Sequence, residues 1–465
     1  MSIRLNAQPL PRLTRVAPAL ALAPLLGLAA AIWGTWSLAL LAPLFALAVV
    51  VWPAAGAAAL IGACALDRVA VGVGGPNVRP DEAVAVALAG ALAVRAWSSR
   101  TAVPRIPLLL PMLAYWLVNV LATVAAGGDV ARGFSLDLIT LDLIVLYAAL
   151  VWYLSGPERL LWSVRLWLGV ATAEALAGAV AFALYLRAQT AVPGVQLELV
   201  TGAPMVYGTM YEANIFGSFM CASFLLALAM VADESTRHKG ALYLACMMTA
   251  VGLLLSATRS AWGSAATGVV LLLLLLRLGR TGPRARRLMR IAAGLVAVGL
   301  VVGIGLLVAP PGVTGALGAR ARGLLNFGSG SGYGRVLLYK EALAEWSGRP
   351  LLGLGPGSYS YRLPGDTSPG PAWLPNLTLQ VLHDTGILGL LALVWIFAAF
   401  FLAALRALRR APPGRVRTAL AGLTAAIAAL LICFQLTPGL TLGYSWALLA
   451  LGAAAMQQAR RLEAR

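Results

Sequence analysis

Three cations stand in sequence surroundings that suit the binding of an anion. Arg259 lies in LLLSATRSAWGS, between two apolar runs and among serine and threonine residues. Arg335 follows a Gly/Ser stretch and starts the helical segment GRVLLYKEALAEW, where backbone N–H groups and the helix dipole attract an anion. With Lys340, these residues predict a phosphate or pyrophosphate site, because guanidinium groups bind phosphate in two-pronged fashion. The alternatives are a snorkelling arginine at a helix end and, for Lys340, a solvated charge.

Carboxylates that could act on a hydroxyl group are Glu212 in GTMYEANIFGSF, Asp384 in LHDTGILG, and Asp366. Glu212 and Asp384 each begin an apolar run, and an ionisable group at the mouth of a membrane span is a functional candidate. Partial burial raises the pKa of a carboxyl towards the range of a general base. Each could instead only stabilise the N-terminus of its helix. His383 is either a further acid–base candidate or a packed core histidine.

The composition is that of a membrane protein. Of the 465 residues, 60% are hydrophobic and only 11% are charged, which excludes a soluble enzyme and a disordered chain. The four cysteines lie far apart in apolar runs and there are two histidines, so a disulfide framework, a zinc site and a haem site are not expected. The sequence therefore predicts an all-α polytopic membrane protein that uses no metal or cofactor.

Fourteen apolar segments predict about 12–14 transmembrane helices of roughly 20 residues. They lie near residues 16–32, 35–51, 54–66, 81–97, 106–125, 136–154, 161–186, 211–232, 240–257, 260–276, 291–309, 378–404, 418–436 and 440–456. The basic residues before the first segment could indicate a signal peptide, but the many later spans favour an uncleaved helix.

The positions of the arginines predict the orientation, since short cytoplasmic loops retain Lys and Arg. With both termini in the cytoplasm, the basic loops fall inside and two long loops, 187–210 and 310–377, fall outside. We therefore divide the chain into transmembrane helices over 1–309, an external loop over 310–377, and C-terminal helices with a cytoplasmic tail over 378–465. A loop as long as the second is usually functional.

Four stretches in order carry a family resemblance: GTMYEANIFGSF, SATRSAWG, SGSGYGRVLLYKEALAEWSGRPLLGLGPGSYS and PNLTLQVLHDTGILGLL. Over about residues 210–392 the chain resembles the O-antigen ligase and polymerase superfamily. The resemblance implies a GT-C-like, metal-independent glycosyltransferase at the outer face of the bacterial inner membrane. Such enzymes take a glycan from a polyprenyl pyrophosphate carrier (undecaprenyl pyrophosphate) and invert the anomeric carbon.

The resemblance also assigns roles to residues. Arg259 and Arg335 would bind the donor pyrophosphate, with Lys340 assisting, and the loop 310–377 would be the catalytic loop. One departure is Pro375, which stands where family ligases have the histidine of a His-Asn pair. Proline cannot accept a proton, so either another group takes that role or the reaction depends on stabilising the leaving group. The replacement candidates are Glu212, Asp384, Asp366 and His383.

The function predicted is the polymerisation of lipid-linked oligosaccharide repeat units in O-antigen, lipopolysaccharide or other surface polysaccharide biosynthesis. Asn214, Tyr339 and Asn376 are predicted to contact the acceptor or the glycan. The partners are then the lipid-linked donor, a glycan or lipid-linked acceptor and the bilayer, with no nucleic acid. A ligase that transfers the glycan to lipid A core or a protein, and a non-enzymatic transporter or flippase of anionic lipids, are the alternatives.

Overall fold

The structure, a computed structural model, describes residues 44–66, 68, 71–72, 77–198, 202–233, 239–278, 330–363 and 373–463. These residues form helices joined by short connections and two antiparallel hairpins. The hairpins are β1 (Val71–Gly72) with β2 (Asn77–Val78), and β3 (Val195–Leu197) with β4 (Pro204–Val206). The prediction of an all-α polytopic membrane protein is confirmed.

The helices are α1 (Leu44–Val51), α2 (Pro53–Ala63), α3 (Pro80–Ser98), α4 (Leu109–Ala126), α5 (Val130–Tyr153), α6 (Pro157–Ala188), α7 (Ala213–Ala232), α8 (Gly240–Leu255), α9 (Arg259–Arg277), α10 (Gly330–Ser347), α11 (Leu377–Arg410), α12 (Arg415–Cys433) and α13 (Gly443–Glu463).

Among the described residues, seven helices are long and apolar enough to cross a membrane: α4, α5, α6, α7, α9, α11 and α12. The pair α1 and α2, bent by 120°, adds an eighth if it is one span. α3, α8 and α13 also coincide with predicted spans but are not among the seven. The predicted spans 16–32 and 291–309 lie outside the described residues, so the total of 12–14 stays a prediction.

Helix α7 lies at the centre of the bundle. It is apolar on all sides, and 89% of its apolar window is buried, as expected for a helix surrounded by others. It packs against α8, α9 and α12. Small residues allow close approach, since a Cβ on Gly422 of α12 would meet Ala229 of α7 at 2.6 Å. The N-terminus of α7 thus lies close to the N-terminus of α9 and to the C-terminus of α12.

The described residues allow the two ends of the bundle to be compared with the predicted topology. At one end, Arg461 Nη1 donates to Ser155 O at 2.6 Å, and Arg415 lies 3.9 Å from the Asp233 carboxylate. Gln457 Nε2 donates to Arg105 O at the same end, so those of the predicted cytoplasmic segments that contain Arg105, Arg415 and Arg461 lie together. The N-termini of α7, α9 and α11 and the C-terminus of α12 meet at the other end. This alternation agrees with the predicted topology, while the membrane side of each end stays a prediction.

Helix α10 lies within the predicted external loop 310–377 and begins earlier than expected. The Gly/Ser stretch is itself helical from Gly330, which places Arg335 in the second turn rather than at the start. A Cβ on Gly334 would meet Leu363 at 2.8 Å, so tight packing accounts for glycine in this helix. The expectation that free N–H groups of a helix start assist Arg335 was therefore wrong, because those groups lie one turn earlier.

Candidate active site

The C-terminal end of α12 is the meeting point of the predicted site residues. We call residues 433–437 the α12 turn. The last carbonyls of a helix have no partner within the helix and recruit other donors. Here Leu377 N donates to Phe434 O at 2.8 Å, and Arg335 Nη2 donates to Leu436 O at 3.1 Å. The turn therefore joins α12 to the start of α11 and to α10.

Tyr339 lies one turn after Arg335 on the same face of α10 and strengthens this junction. Its hydroxyl donates to Pro375 O at 3.0 Å and lies 3.4 Å from Gln435 O. Burial raises the pKa of Tyr339, and Arg335 and Asn376 lower it in part. The phenol therefore stays protonated and can donate. One turn from Arg335, Tyr339 thus ties α10 both to Pro375, two residues before α11, and to the α12 turn.

Arg259 is the first residue of α9 and is half-buried. Its two neighbours fix its position. Thr258 Oγ1 donates to Ala213 O at 3.0 Å, and the hydroxyl of Ser260 lies 3.7 Å from Cys433 Sγ. Arg259 therefore stands between the start of α7 and the α12 turn. The positive end of the α9 dipole adds to the field of its guanidinium.

The connection before Arg259 is tight. Ala257 has φ +51°, a left-handed conformation that is uncommon for residues other than glycine. Ser256 and Thr258 bond within the turn, with Thr258 N donating to Ser256 Oγ at 3.2 Å. The SAT segment thus fixes where α9 begins, and with it the position of Arg259 in the chain fold.

Glu212 also reaches the α12 turn. It precedes α7 as the N-cap residue, and its Oε1 lies 3.4 Å from both Thr437 Oγ1 and Asn214 Nδ2. Arg335 contacts Leu436 and Glu212 contacts Thr437, so a cation and a carboxylate touch adjacent residues. The structure therefore brings Glu212, Asn214, Arg259, Arg335 and Tyr339 to one end of one helix.

Asn376 caps α11 at the same place. Its Oδ1 accepts from Leu379 N at 2.9 Å, and its Nδ2 donates to Gln435 O at 3.1 Å. Both the oxygen and the nitrogen of the Asn376 amide are thus hydrogen-bonded to backbone atoms of the protein. Lys340 is exposed on α10, next to Tyr339.

His383 and Asp384 belong to a second cluster, about 9 Å further along α11 by helical rise. His383 is only 1% exposed, and its two ring nitrogens face two carboxylates. Nδ1 lies 2.9 Å from Asp384 Oδ1, and Nε2 lies 2.8 Å from Glu345 Oε2 on α10. We call Glu345, His383 and Asp384 the His383 cluster. Sequence analysis missed Glu345, which lies 38 residues from its partner and has no local signal.

The RPLLGLGPG segment packs against a break in α11. Gly386 has φ +65° inside this helix, and the backbone on either side of it bonds to the RPLLGLGPG segment. Leu354 N donates to His383 O, and Ile387 N donates to Pro350 O, both at 2.9 Å. Gly353 has φ +68°, and a Cβ there would collide with His383 O. The glycines thus allow two backbones to touch.

Arg349, at the start of that segment, reaches the C-terminus of α4. Its Nη1 donates to Ala126 O at 2.9 Å and to Ala125 O at 3.3 Å. A cation at the end of a helix is stabilised by the helix dipole. Helix α10 is therefore anchored at one end by the α12 turn and at the other by the His383 cluster and α4.

Residues 244–394 match the family model described as O-antigen ligase. This stretch contains Arg259, Arg335, Tyr339 and the His383 cluster, and with them most of the motifs that carry the resemblance. The chain carries an O-antigen ligase family domain. No curated protein matches the chain.

The O-antigen ligase family domain supports a ligase- or polymerase-type function in general, and members of this family are glycosyltransferase-like enzymes. The domain, with its apolar helices, indicates a multi-pass membrane protein and suggests lipid-linked glycan substrates and a lipid bilayer. The role of each candidate residue stays a prediction, including the catalytic roles of Asp384 and His383.

Two further predictions concern the rest of the site. Asp366 lies outside the described residues. Within the residues that are described, no group of three or more His, Cys, Asp or Glu side chains is placed to hold a metal ion.

Proposed function

We propose that this O-antigen ligase family member is a membrane glycosyltransferase that polymerises lipid-linked oligosaccharide repeat units. The donor would be a glycan on polyprenyl pyrophosphate, used at the outer face of the inner membrane. The observation that supports this most is that Ser260, the residue after Arg259, and Arg335 itself both contact the α12 turn, from different elements. A diphosphate carries enough negative charge to engage both guanidinium groups.

In the proposed reaction, the acceptor hydroxyl oxygen attacks the anomeric carbon of the donor glycan. The bond between that carbon and the pyrophosphate oxygen breaks, and the pyrophosphate leaves with the bonding electrons. Arg259, Arg335 and the N-terminus of α9 stabilise the charge that develops, with Lys340 assisting at the exposed side. Loss of one such contact typically costs about 2.7–4 kcal/mol of transition-state stabilisation.

Glu212 is the carboxylate that we propose takes the acceptor proton. It shares the α12 turn with Arg335, whereas Asp384 and His383 face each other and Glu345 at the far end of α10. Pro375 contributes a carbonyl to Tyr339 and offers no base. Asn214, beside Glu212, would contact the acceptor sugar.

A ligase remains the second candidate, because the family model that matches is described as O-antigen ligase. The same arginines would then bind the same donor, and the acceptor would be lipid A core or a protein. The two functions differ in the product and not in the donor site.

The test uses purified protein in lipid with a polyprenyl-pyrophosphate oligosaccharide and no other acceptor. A ladder of longer lipid-linked chains and release of polyprenyl pyrophosphate are expected. Transfer that begins only after lipid A core or an acceptor protein is added would make the protein a ligase. No release of the carrier with any acceptor would contradict the proposal.

Arg259→Ala and Arg335→Ala are each expected to abolish the ladder while the protein stays folded and membrane-inserted. Arg187→Ala is the matched control, since Arg187 is an exposed arginine in the last turn of α6 and also lies on the predicted outer side. Normal product from either site variant would refute its assigned role.

A further inference from the structure

We propose that Glu345 is a positioning residue, which fixes α10 and with it Arg335 through the contact with His383. This inference rests on the proposed function, in which Arg335 binds the donor pyrophosphate. Glu345 itself would touch neither donor nor acceptor, since it follows Arg335 by ten residues, about 15 Å of helix.

Side chains near both ends of α10 hold this helix to the bundle. Near its N-terminal end, Arg335 and Tyr339 contact the α12 turn and Pro375. Near its C-terminal end, Glu345 is the side chain that bonds to α11, and Ala342 is buried between these points. A helix tethered at one end only would pivot about that end. At the C-terminal end, Arg349 just after α10 ties the chain to α4, and the Glu345–His383 contact ties the helix itself to α11.

The contact has a proton requirement. Two nitrogen–oxygen pairs, at 2.8 and 2.9 Å, each need one hydrogen, but a neutral imidazole carries only one N–H. The cluster therefore holds a second proton, either on the ring or on a carboxyl group. Loss of that proton leaves a nitrogen lone pair facing a carboxylate, which is repulsive. The position of α10 should consequently depend on pH.

Other charged and titratable groups surround the cluster. Arg132 on α5 acts electrostatically on Asp384, which also accepts from Gly357 N at 3.4 Å. The Tyr359 ring meets the His383 ring edge-on at 5.3 Å. Tyr115 on α4 lies close enough to Asp384 to interact with it electrostatically, and Glu341 on α10 lies close enough to Tyr359. Glu345 is the more exposed of the two carboxylates, with 30% of its side chain accessible against 11% for Asp384, so its contact with His383 is the one that exchanges a proton with solvent more readily.

The experiment compares Glu345→Ala, Glu345→Gln and the control Glu341→Gln in the full-length protein. Hydrogen–deuterium exchange of residues 330–347 reports the position of α10, and donor turnover reports Arg335. In Glu345→Ala we expect faster exchange over the helix and a loss of about 10- to 100-fold in kcat/KM for the donor, as follows from a misplaced binding group.

Glu345→Gln is expected to rescue both readouts to within about threefold, because its amide N–H can donate to Nε2 while Nδ1–H bonds to Asp384. In the wild type, loss of the second proton should lower the activity as pH rises. Glu345→Gln should remove this fall. Glu341→Gln keeps the His383 contact and should match the wild type.

Unchanged exchange in Glu345→Ala, or faster exchange with unchanged donor turnover, would overturn the inference. So would a Gln variant as impaired as the Ala variant. Failure of the proposed function is recognised separately, since Arg335→Ala would then transfer glycan at the wild-type rate whatever the exchange data show.

Discussion

At the scale of single residues, Arg335 and Glu212 meet on Leu436 and Thr437, two adjacent residues of the α12 turn. A cation that holds the leaving group and a carboxylate that takes a proton must both lie close to the anomeric carbon. Residues fixed to one short segment satisfy this requirement without a large rearrangement. Tyr339 contributes by bonding to backbone oxygens, which makes it a support for Arg335.

Glu212→Gln tests the proposed base. The amide has nearly the same shape but cannot take up a proton, and general-base catalysis contributes about 10²–10⁴-fold. We expect the rate of transfer to fall by that amount, with donor binding little changed. The measurement is the rate of carrier release at saturating donor.

Pro375→Ala is the control for this prediction. Tyr339 bonds to the backbone carbonyl of Pro375, which alanine retains. Most activity should therefore remain. A collapse of activity in a folded Pro375→Ala protein, or full activity in Glu212→Gln, would speak against the assignment of the base.

At the scale of elements, the glycine turn 353–357 and the break at Gly386 form one unit. Both backbones bond across the contact, with Gly355 N donating to Asp384 O at 2.9 Å. The break also shortens the uninterrupted part of α11 to residues 387–410, about 36 Å by helical rise. That length suits a bilayer core of about 30 Å, so we predict that the His383 cluster lies near one boundary of that core.

Gly353→Ala tests this unit. The residue has φ +68°, and a Cβ would collide with His383 O, so both strain and a clash oppose the substitution. We expect a loss of at least about 1–3 kcal/mol of stability, measured by thermal unfolding in detergent, with faster exchange over 349–357. Gly156→Ala is the control, because a Cβ there meets no atom within 4 Å; an equal effect of both substitutions would contradict the explanation.

The starts of two helices at the site were predictable from the sequence, whereas the start of α10 and the contacts between distant residues were not. The start of α9 at Arg259 and the start of α11 at Leu377 follow from polar residues that precede apolar runs. The helical start at Gly330 did not follow, because glycine disfavours helix and the packing of Gly334 against Leu363 cannot be read from the local sequence. The Glu345–His383 and Arg349–Ala126 contacts join residues distant in sequence, which local patterns do not reveal.

At the scale of the whole molecule, the end that carries the site and the end that carries the basic loops lie on opposite sides of the bundle. The positive-inside rule places the basic end in the cytoplasm. The donor carrier would then approach the arginines from the outer leaflet. Arg259 at the rim of the bundle avoids the insertion cost of about 2.5–3.5 kcal/mol for an arginine at the bilayer centre.

Labelling of Ser347→Cys and Ser99→Cys with a membrane-impermeant thiol reagent tests this orientation. Both serines are exposed, Ser347 at the end of α10 and Ser99 at the C-terminus of α3. In intact spheroplasts we expect Ser347→Cys to react and Ser99→Cys to react only after lysis. The native cysteines Cys64, Cys221 and Cys433 are buried, and the unsubstituted protein controls for Cys246. The reverse pattern would invert the topology.

The anchoring of Arg349 on Ala126 has a consequence for how this protein can be divided. The family similarity covers residues 244–394, but the contacts of the candidate site extend beyond these borders. Ala126 and Glu212 precede residue 244, and Leu436 follows residue 394. A fragment trimmed to those borders would lack the α12 turn, which Arg335 contacts, and α4, which Arg349 contacts. Chimaeras that exchange this segment between relatives would therefore have to carry α4 and α12 along with it.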